Sequence, residues 1–335
     1  MSNSDKSKML SLVKILMENT DKNNKLFMRE ILTLMEEEGH DCSDDTIRRY
    51  MKQIGNEYKD DIEIKSTRGR NAQYYINKRL FTNAEMKLIV DAINASNFIE
   101  KSVATNMIDK LKKIMSKYEA EELNRSTLGI TIPKTENKKI LDNIDKIQDA
   151  LKKNVQISFD YMCWNKDGKL EKKSKYRHTL NPWALLWAND RYYLYGYDTK
   201  EMNGKFAEKH YRVDKISGVE LNEIPRGGAK QYQEFHADTY VSKRIGMFTG
   251  KEESIVVRFP DDLLGVFIDQ FGAGRFTFIE KKDGMQTIRI NVVVSKLFLG
   301  WLIGLQEVEI VEPIEARQKM IKLLESNKKI YFKDN

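Results

Sequence analysis

With 335 residues, 41% of them hydrophobic and 32% charged, the chain has room for two or three ordinary domains and enough apolar content for their cores. No run approaches the roughly 18 uncharged apolar residues of a membrane helix, and the opening MSNSDKSKML leads into no charge-free stretch of signal-peptide length. Neither a membrane nor an export route is therefore expected. Cys42 and Cys163 fit no CxxC pattern, which points to a reducing cytoplasm. The net charge of +7 is modest, so its distribution matters more than its sum. Residues 48–79 carry nine basic side chains against four acidic ones, whereas residues 28–45 are net acidic. A local basic excess of this kind is an electrostatic footprint for a polyanion, although solvated basic faces are also common.

Residues 8–19 place Met9, Leu12, Val13 and Leu16 at helical spacing, and residues 27–38 repeat the pattern with Ile31, Leu34 and Met35. Gly39 closes that helix as a C-cap. Ser43 stands where an N-cap belongs, with Asp44 and Asp45 favouring the positive end of the helix that follows. This third helix, 44–57, puts Ile47, Met51 and Ile54 on one face while Arg48, Arg49 and Lys52 point elsewhere. Two short alternating runs, 62–66 and 73–76, are joined by 67–71. Three helices and a hairpin in this order read as a winged helix-turn-helix.

A helix of this length fits the major groove of double-stranded DNA, where its first turns reach base edges. Arg48, Arg49 and Lys52 suit guanine or phosphate, Ser43 and Thr46 can donate to phosphate, and Arg68 and Arg70 at the hairpin tip can reach the backbone or minor groove. Each residue also has a plainer use, Ser43 as a cap and the arginines as solubilising charge. The constellation, not any one member, points to DNA. Asp44 and Asp45 oppose it, because they repel phosphate unless they accept from cytosine.

Residues 82–96 and 100–118 read as two further helices, the first opened by a Thr82/Glu85 capping box. Their apolar stripes suit a linker bundle, a dimer interface or both. Residues 124–135 look like a boundary. A helix at 136–152 leads to a strand at 155–161 and a hairpin at 164–170. Residues 176–216 then hold three β-rich runs, 185–187, 192–197 and 211–213, separated by a turn at 188–190 and a polar loop at 199–205. His178, Arg191, His210, Arg212 and Asp214 punctuate them, as in a small barrel with a polar cluster on one face. Residues 223–234 look like a linker. Beyond them come strand 255–259, helix 261–271, strands 275–280 and 285–294, helix 295–305, strand 308–311 and helix 313–325, a βαββαβ order of ferredoxin-like type.

The stretch 176–216 resembles the WYL domain family, small Sm-like β-barrels that serve as ligand-sensing modules of bacterial transcription regulators. The tripeptide lies at Tyr192-Tyr193-Leu194, with Tyr in place of the family's Trp. The proline segment is Asn181-Pro182-Trp183-Ala184-Leu185-Leu186, and the closing motif is His210-Tyr211-Arg212-Val213-Asp214-Lys215-Ile216. The N-terminal third is similar to the DNA-binding domain usually fused to WYL domains, whose recognition helix opens with Ser-x-x-Thr-Ile-x-Arg, here Ser43 to Arg49. Gly246-Met247-Phe248, Trp301-Leu302 and Val311-Glu312-Pro313 resemble the extension that commonly follows WYL domains. The resemblance implies a basic and aromatic pocket for a negatively charged ligand, formed by Tyr161, His178, Tyr192, Tyr193, His210, Arg212 and Asp214. His178 stands where the family often has Arg, which lowers the charge at neutral pH. Leu194 and one of the paired tyrosines are expected in the core, because successive strand residues face opposite ways. Arg212 and Asp214 share a strand face and can instead pair with each other.

Nothing suggests catalysis: there is no metal-ligand spacing among the histidines and cysteines, no phosphate loop and no GxSxG. No metal or cofactor is expected. The resulting expectation is a multidomain α+β protein with a winged helix-turn-helix (1–80), a helical linker or dimerisation segment (81–130), an Sm-like β-barrel (131–222) and a ferredoxin-like βαββαβ domain (235–333). It would act as a cytoplasmic, homodimeric repressor that reads double-stranded DNA and senses a nucleotide-like effector. The alternative is an accessory protein whose barrel grips single-stranded RNA or DNA in a defence or repair complex, using the basic run Lys166, Lys169, Lys172, Lys173, Lys175 and Arg177.

Overall fold

The computed structural model describes residues 3–126, 133–202 and 205–332. The chain is a mixed α+β, multidomain structure with a helical N-terminal region and a curled β-sheet, and it divides into two compact units, Met1–Ile140 and Leu141–Asn335.

The first unit opens with α1 (Asn3–Asn19), β1 (Leu26–Phe27), α2 (Met28–Glu37) and α3 (Asp44–Glu57), followed by β2 (Glu63–Ser66) and β3 (Gln73–Lys78). Leu12, Leu16, Ile31, Met35, Ile47, Tyr50 and Ile54 meet in one core with Ile76 of β3. The three strands form an antiparallel sheet in the order β1-β3-β2. The two-residue strand β1 has no sequence signal of its own; Phe27 pairs with Gln73, so the second helix starts at Met28 instead of residue 27.

Three helices complete this unit: α4 (Asn83–Ala95), α5 (Lys101–Lys112) and α6 (Lys117–Ser126). Thr82 and Glu85 form the expected reciprocal cap at the start of α4. The single helix expected at 100–118 is broken instead, because Ser116 starts a new one. Its hydroxyl accepts from the Glu119 N–H (3.1 Å), while Glu119 Oε2 accepts from the Ser116 N–H (3.1 Å), a second capping box. Of the boundary expected at 124–135, residues 127–132 lie outside the described residues.

A buried polar junction ties α6 to the preceding elements. Asp21 accepts from the Ser116 hydroxyl (2.7 Å) and from the N–H groups of Asn23 and Asn24. Arg79, just past β3, donates to the carbonyls of Met17 (2.8 Å) and Thr20 (2.5 Å), and its Nε lies 3.1 Å from Glu119 Oε2. Both side chains of that ion pair are largely buried, 8% and 15% exposed.

The second unit begins within α7 (Ile140–Lys153), at Leu141, and the buried Asn143 of this helix donates to the carbonyl of Ile216 (2.9 Å). The curled sheet comprises β4 (Val155–Trp164), β5 (Leu170–Lys172), β6 (His178–Ala188), β7 (Arg191–Met202), β8 (Lys205–Arg212) and β9 (Ile216–Pro225). Its order is β5-β4-β6-β7-β8, and β9 returns to pair antiparallel with the other edge of β4. The polar loop expected at 199–205 is mostly strand, since β7 and β8 extend to Met202 and from Lys205; residues 203–204 lie outside the described residues.

The stretch expected to be a linker, 223–234, is structured. β9 occupies its start, then come α8 (Ala229–Gln233) and α9 (Ala237–Ser242). Arg226 anchors this strap: its guanidinium lies 3.7 Å from the centre of the Trp183 ring and donates to Pro182 O and Asn154 Oδ1. Gly228 has φ +91°, and a Cβ there would meet the Tyr197 ring at 2.5 Å, so only glycine fits.

The remaining elements are β10 (Lys251–Pro260), α10 (Leu264–Phe271), β11 (Phe276–Lys282), β12 (Met285–Val294), α11 (Lys296–Leu305), β13 (Glu309–Glu312) and α12 (Ile314–Tyr331). The four strands form an antiparallel sheet in the order β11-β12-β10-β13. Ile288, Ile290, Val292 and Val294 alternate along β12 and face a core that includes Phe259, Phe267 and Phe298.

Removing Arg79 would leave Glu119 and the Met17 and Thr20 carbonyls without their buried partner. Arg79→Met is expected to destabilise the first unit by about 3–5 kcal/mol, read as a shifted urea midpoint of the full chain. A shift comparable to that of an exposed lysine variant such as Lys110→Met would refute this role.

Candidate functional sites

The first candidate is the outer face of α3. Helix periodicity puts Ile47, Tyr50, Met51 and Ile54 in the core, which turns Arg48, Arg49 and Lys52 together towards solvent. Ser43 caps the helix, its Oγ accepting from the Thr46 N–H (3.4 Å) and lying 3.0 Å from the Thr46 hydroxyl. The two hydroxyls are thus already engaged with each other. Arg48 leans on β3, donating to the Tyr74 hydroxyl and lying over its ring (5.6 Å), so it braces the helix against the hairpin. Arg49 rests on the Tyr50 ring (5.2 Å) with Asp5 at 3.8 Å. Lys52, Arg68 and Arg70 are exposed and have no ion-pair or hydrogen-bond partner among the described residues. The structure therefore presents cations on one helix face and on the 67–72 turn between β2 and β3.

The second candidate is the set expected on the curled sheet, and the structure divides it. Tyr161 and His178 lie in an aromatic stack with Phe159 and Tyr211: His178 lies parallel to Phe159 at 5.7 Å, and Tyr161 meets Tyr211 edge-on at 5.1 Å. His178 Nδ1 is 3.4 Å from the Tyr211 hydroxyl, while its Nε2 is buried without a hydrogen-bond partner. Tyr192 is not brought to this group; it packs edge-on against Trp187 across the β6–β7 ladder (4.8 Å). Tyr193 and His210 occupy the opposite sheet face from Leu194, 6.2 Å apart, and His210 Nδ1 lies 3.2 Å from the Tyr240 hydroxyl. Arg212 donates twice to Asp214, Nε to Oδ1 (3.1 Å) and NH2 to Oδ2 (2.6 Å). The guanidinium has a forked partner in its own chain, and Asp214 is buried.

These environments shift the titrating groups. Burial pushes both His178 and His210 below the ordinary imidazole value of 6.5, helped by Lys173 for His178 and by Arg244 for His210. A hydrogen bond to the Met247 backbone opposes the shift at His210. Arg212 is held above its usual value by the hydrogen bonds to Asp214. Burial raises Tyr161, Tyr193 and Tyr211, so all three remain neutral phenols at physiological pH.

The WYL domain family matches residues 142–221, the span from α7 into β9. Residues 142–221 form a WYL domain. Among solved structures, proteasome accessory factor B/C of Arthrobacter aurescens is similar at 14% identity with a TM-score of 0.29. The match covers 96% of this chain but only 46% of that one, so the chain spans less than half the length of that relative. A CRISPR Cas-related protein is similar at 14% identity with a TM-score of 0.36, over 99% of this chain and 85% of that one. No curated protein sequence matches the chain. No helix among the described residues is long and apolar enough to cross a membrane, and they hold no group of three His, Cys, Asp or Glu side chains placed to bind a metal.

An open space in the second unit borders the WYL domain away from most of the expected ligand set. It is a cavity of about 790 Å³ beside β7 and β8, walled by Tyr195, Tyr197, Glu208, Phe235, Tyr240 and Arg244. Sequence reasoning missed it, although tyrosines alternate at 193, 195 and 197 and aromatic residues recur at 232, within the assumed linker, and at 235 and 240 beyond it.

Because the fold holds His178 and His210 neutral below 6.5, the unfolded chain binds more protons there once the pH drops under that value. Stability from these sites is present above about pH 6.5 and lost as the pH falls through the folded-state values. Thermal melts at pH 7.5 and 5.5 should show the second unit losing stability on acidification, and His210→Gln should reduce that difference. An unchanged pH dependence in the variant would show that His210 is not a source of it.

Proposed function

We propose that the chain is a DNA-binding transcription regulator. The three helices and hairpin of the first unit act as a winged helix-turn-helix, α3 enters the major groove, and the WYL domain senses an effector. The observation that carries this reading is the shared outward face of Arg49 and Lys52 on α3, with Arg68 and Arg70 unpaired on the adjoining turn. Four cations on a capped helix and its neighbouring hairpin suit phosphate contact flanking base readout. Asp45 on the same exposed face restricts which sequences are accepted, because it favours cytosine amino groups over bare phosphate. Homodimerisation matches this chemistry, since groove-reading heads work in pairs on repeated half-sites. Repression is the default sign of regulation, as occupancy of a promoter by a dimer suffices for it. We read the βαββαβ part of the second unit, with strands in the order β11-β12-β10-β13, as ferredoxin-like. We assign it to assembling the dimer or covering the effector site.

A second reading has its own support. Trp164 and Tyr176 are 53% and 82% exposed beside Lys166, Lys169 and Lys175, an arrangement suited to stacking bases of a single strand. The WYL domain would then be the nucleic-acid grip of a defence or repair complex.

Fluorescence anisotropy on duplex DNA from upstream of the chain's own gene, titrated with salt and competed with scrambled duplex and single strands, separates the two. Arg49→Ala with Arg70→Ala should weaken duplex binding by roughly 30-fold and reduce the slope of log K against log salt by about two, leaving single-strand binding unchanged. Single-strand binding that the double variant leaves unchanged, with no sequence-selective duplex binding by the parent chain, would replace the regulator with the second reading.

A further inference from the structure

The outer face of the three-stranded sheet in the first unit carries cations that the α3 site leaves unused. Tyr74 and Ile76 of β3 point into the core, so Gln73 and Tyr75 point outward. Phe27 of β1 stands opposite Gln73 and Lys65 of β2 opposite Tyr75, which puts all four on this outer face. Each of its two rings holds a cation. Lys25 Nζ is 4.7 Å from the centre of the Tyr75 ring, and the Arg29 guanidinium is 5.4 Å from the centre of the Phe27 ring. Neither charged group has a hydrogen-bond or ion-pair partner among the described residues. The carboxylates nearby are committed: Glu63 lies 3.1 Å from Lys65 and accepts from the Asn77 amide, and Glu30 accepts from the Phe27 N–H (2.7 Å).

This face runs into the turn that carries Arg68 and Arg70. Gln73 exchanges two hydrogen bonds with Thr67, its N–H donating to the Thr67 hydroxyl (2.9 Å) and its carbonyl accepting from the Thr67 N–H (2.9 Å). Arg29, Phe27, Gln73 and Thr67 thus form an unbroken path to Arg68. α3 lies on the other side of β3, where Arg48 donates to the Tyr74 hydroxyl. The turn therefore stands between two basic surfaces, α3 on one side and the Lys25/Arg29 strip on the other. On the strip, Phe27 and Tyr75 are covered by their own cations, which leaves the contact to charge and directs it to phosphate instead of bases. A cation already held over a ring also gives up less freedom when it meets a phosphate.

We infer that Lys25 and Arg29 hold the phosphate backbone of duplex DNA beyond the turn, lengthening the footprint without reading sequence. The inference rests on the duplex-binding proposal and adds residues to its contact surface.

The test compares the full chain with Lys25→Gln/Arg29→Gln by fluorescence anisotropy, on duplex from upstream of the chain's own gene and on scrambled duplex. Glutamine keeps much of each stem over its ring, so the melting temperature should match the parent. Loss of two phosphate contacts should lower the slope of log K against log salt by about two per bound chain and weaken binding about tenfold near 0.1 M salt, by the same factor on both duplexes. Lys25→Arg/Arg29→Lys, which keeps both charges, should restore the parent's slope. An unchanged slope in the glutamine variant, or a weakening confined to the upstream duplex, would overturn the inference and leave the regulator reading standing. A parent chain that binds no duplex would remove that reading, and this contact surface with it.

Discussion

Strand β7 is buried on both faces, and much of the second unit follows from that constraint. Leu194 lies on one face, fully buried, while Tyr193, Tyr195 and Tyr197 lie on the other, each less than a tenth exposed. Between them Gly196 lets β6 approach: a Cβ there would stand 2.2 Å from the Asn181 carbonyl oxygen, too close for any other residue without moving the strand. A sheet in this position cannot leave its tyrosine face to solvent, because three large rings would lose the burial that favours them, about 1.5–3 kcal/mol each. The strap after β9 supplies the cover. Trp183 donates to the Gly227 carbonyl (2.8 Å), Asn181 accepts from the Gly227 N–H (2.8 Å), and Tyr232 stacks on Trp183 at 4.6 Å. The cavity is what remains where α8 and α9 span the sheet without filling the space beneath.

The first unit is organised by a different device. Its apolar cores are local, one around α1 to α3 and one around α4 to α6. What joins them is polar: Asp21, Arg79, Ser116 and Glu119 exchange charge and hydrogen bonds where little water enters. A polar junction fixes geometry more narrowly than an apolar contact, since each donor accepts only a few directions. The cations of α3 are therefore carried on a body that extends through α6. A change in the helices after residue 80 would move the whole head, not bend it internally.

Much of this was legible in the sequence, and the exceptions have physical reasons. The caps at Ser43 and Thr82 were readable because each side chain reaches a backbone group three residues away. The Ser116/Glu119 box obeys the same rule, yet it sits inside an apolar stripe that continues through Ile114 and Tyr118, and periodicity masked it. β9 was hidden because Ser217, Gly218, Glu220 and Asn222 face outward along it, leaving Ile216, Val219 and Leu221 too few to signal a strand. The strap looked like a linker for the same reason: its aromatic residues are spaced by contact with a distant sheet, which no local period records. Parity predicts that Tyr192 and Tyr193 part company. It does not reveal that both faces of β7 are covered, nor that Tyr192 ends beside Trp187 and away from His178.

The electrostatics decide which expected ligand residues are available. Arg212 carries the charge that a basic pocket would need, but Asp214 grips both its Nε and NH2. An anion reaching Arg212 would have to compete with a buried carboxylate already in forked geometry, and displacing it would leave Asp214 without its cation, a loss of order 3–5 kcal/mol for a buried pair. His178 offers no positive charge in compensation, since burial favours its neutral form. Glu208, two residues before His210 on β8, lies on the same sheet face. The space under the strap is lined by both signs of charge, Glu208, Glu234 and Glu252 against Lys230, Lys243 and Arg244, so charge alone does not select what enters from that side and the shape of its walls must do so.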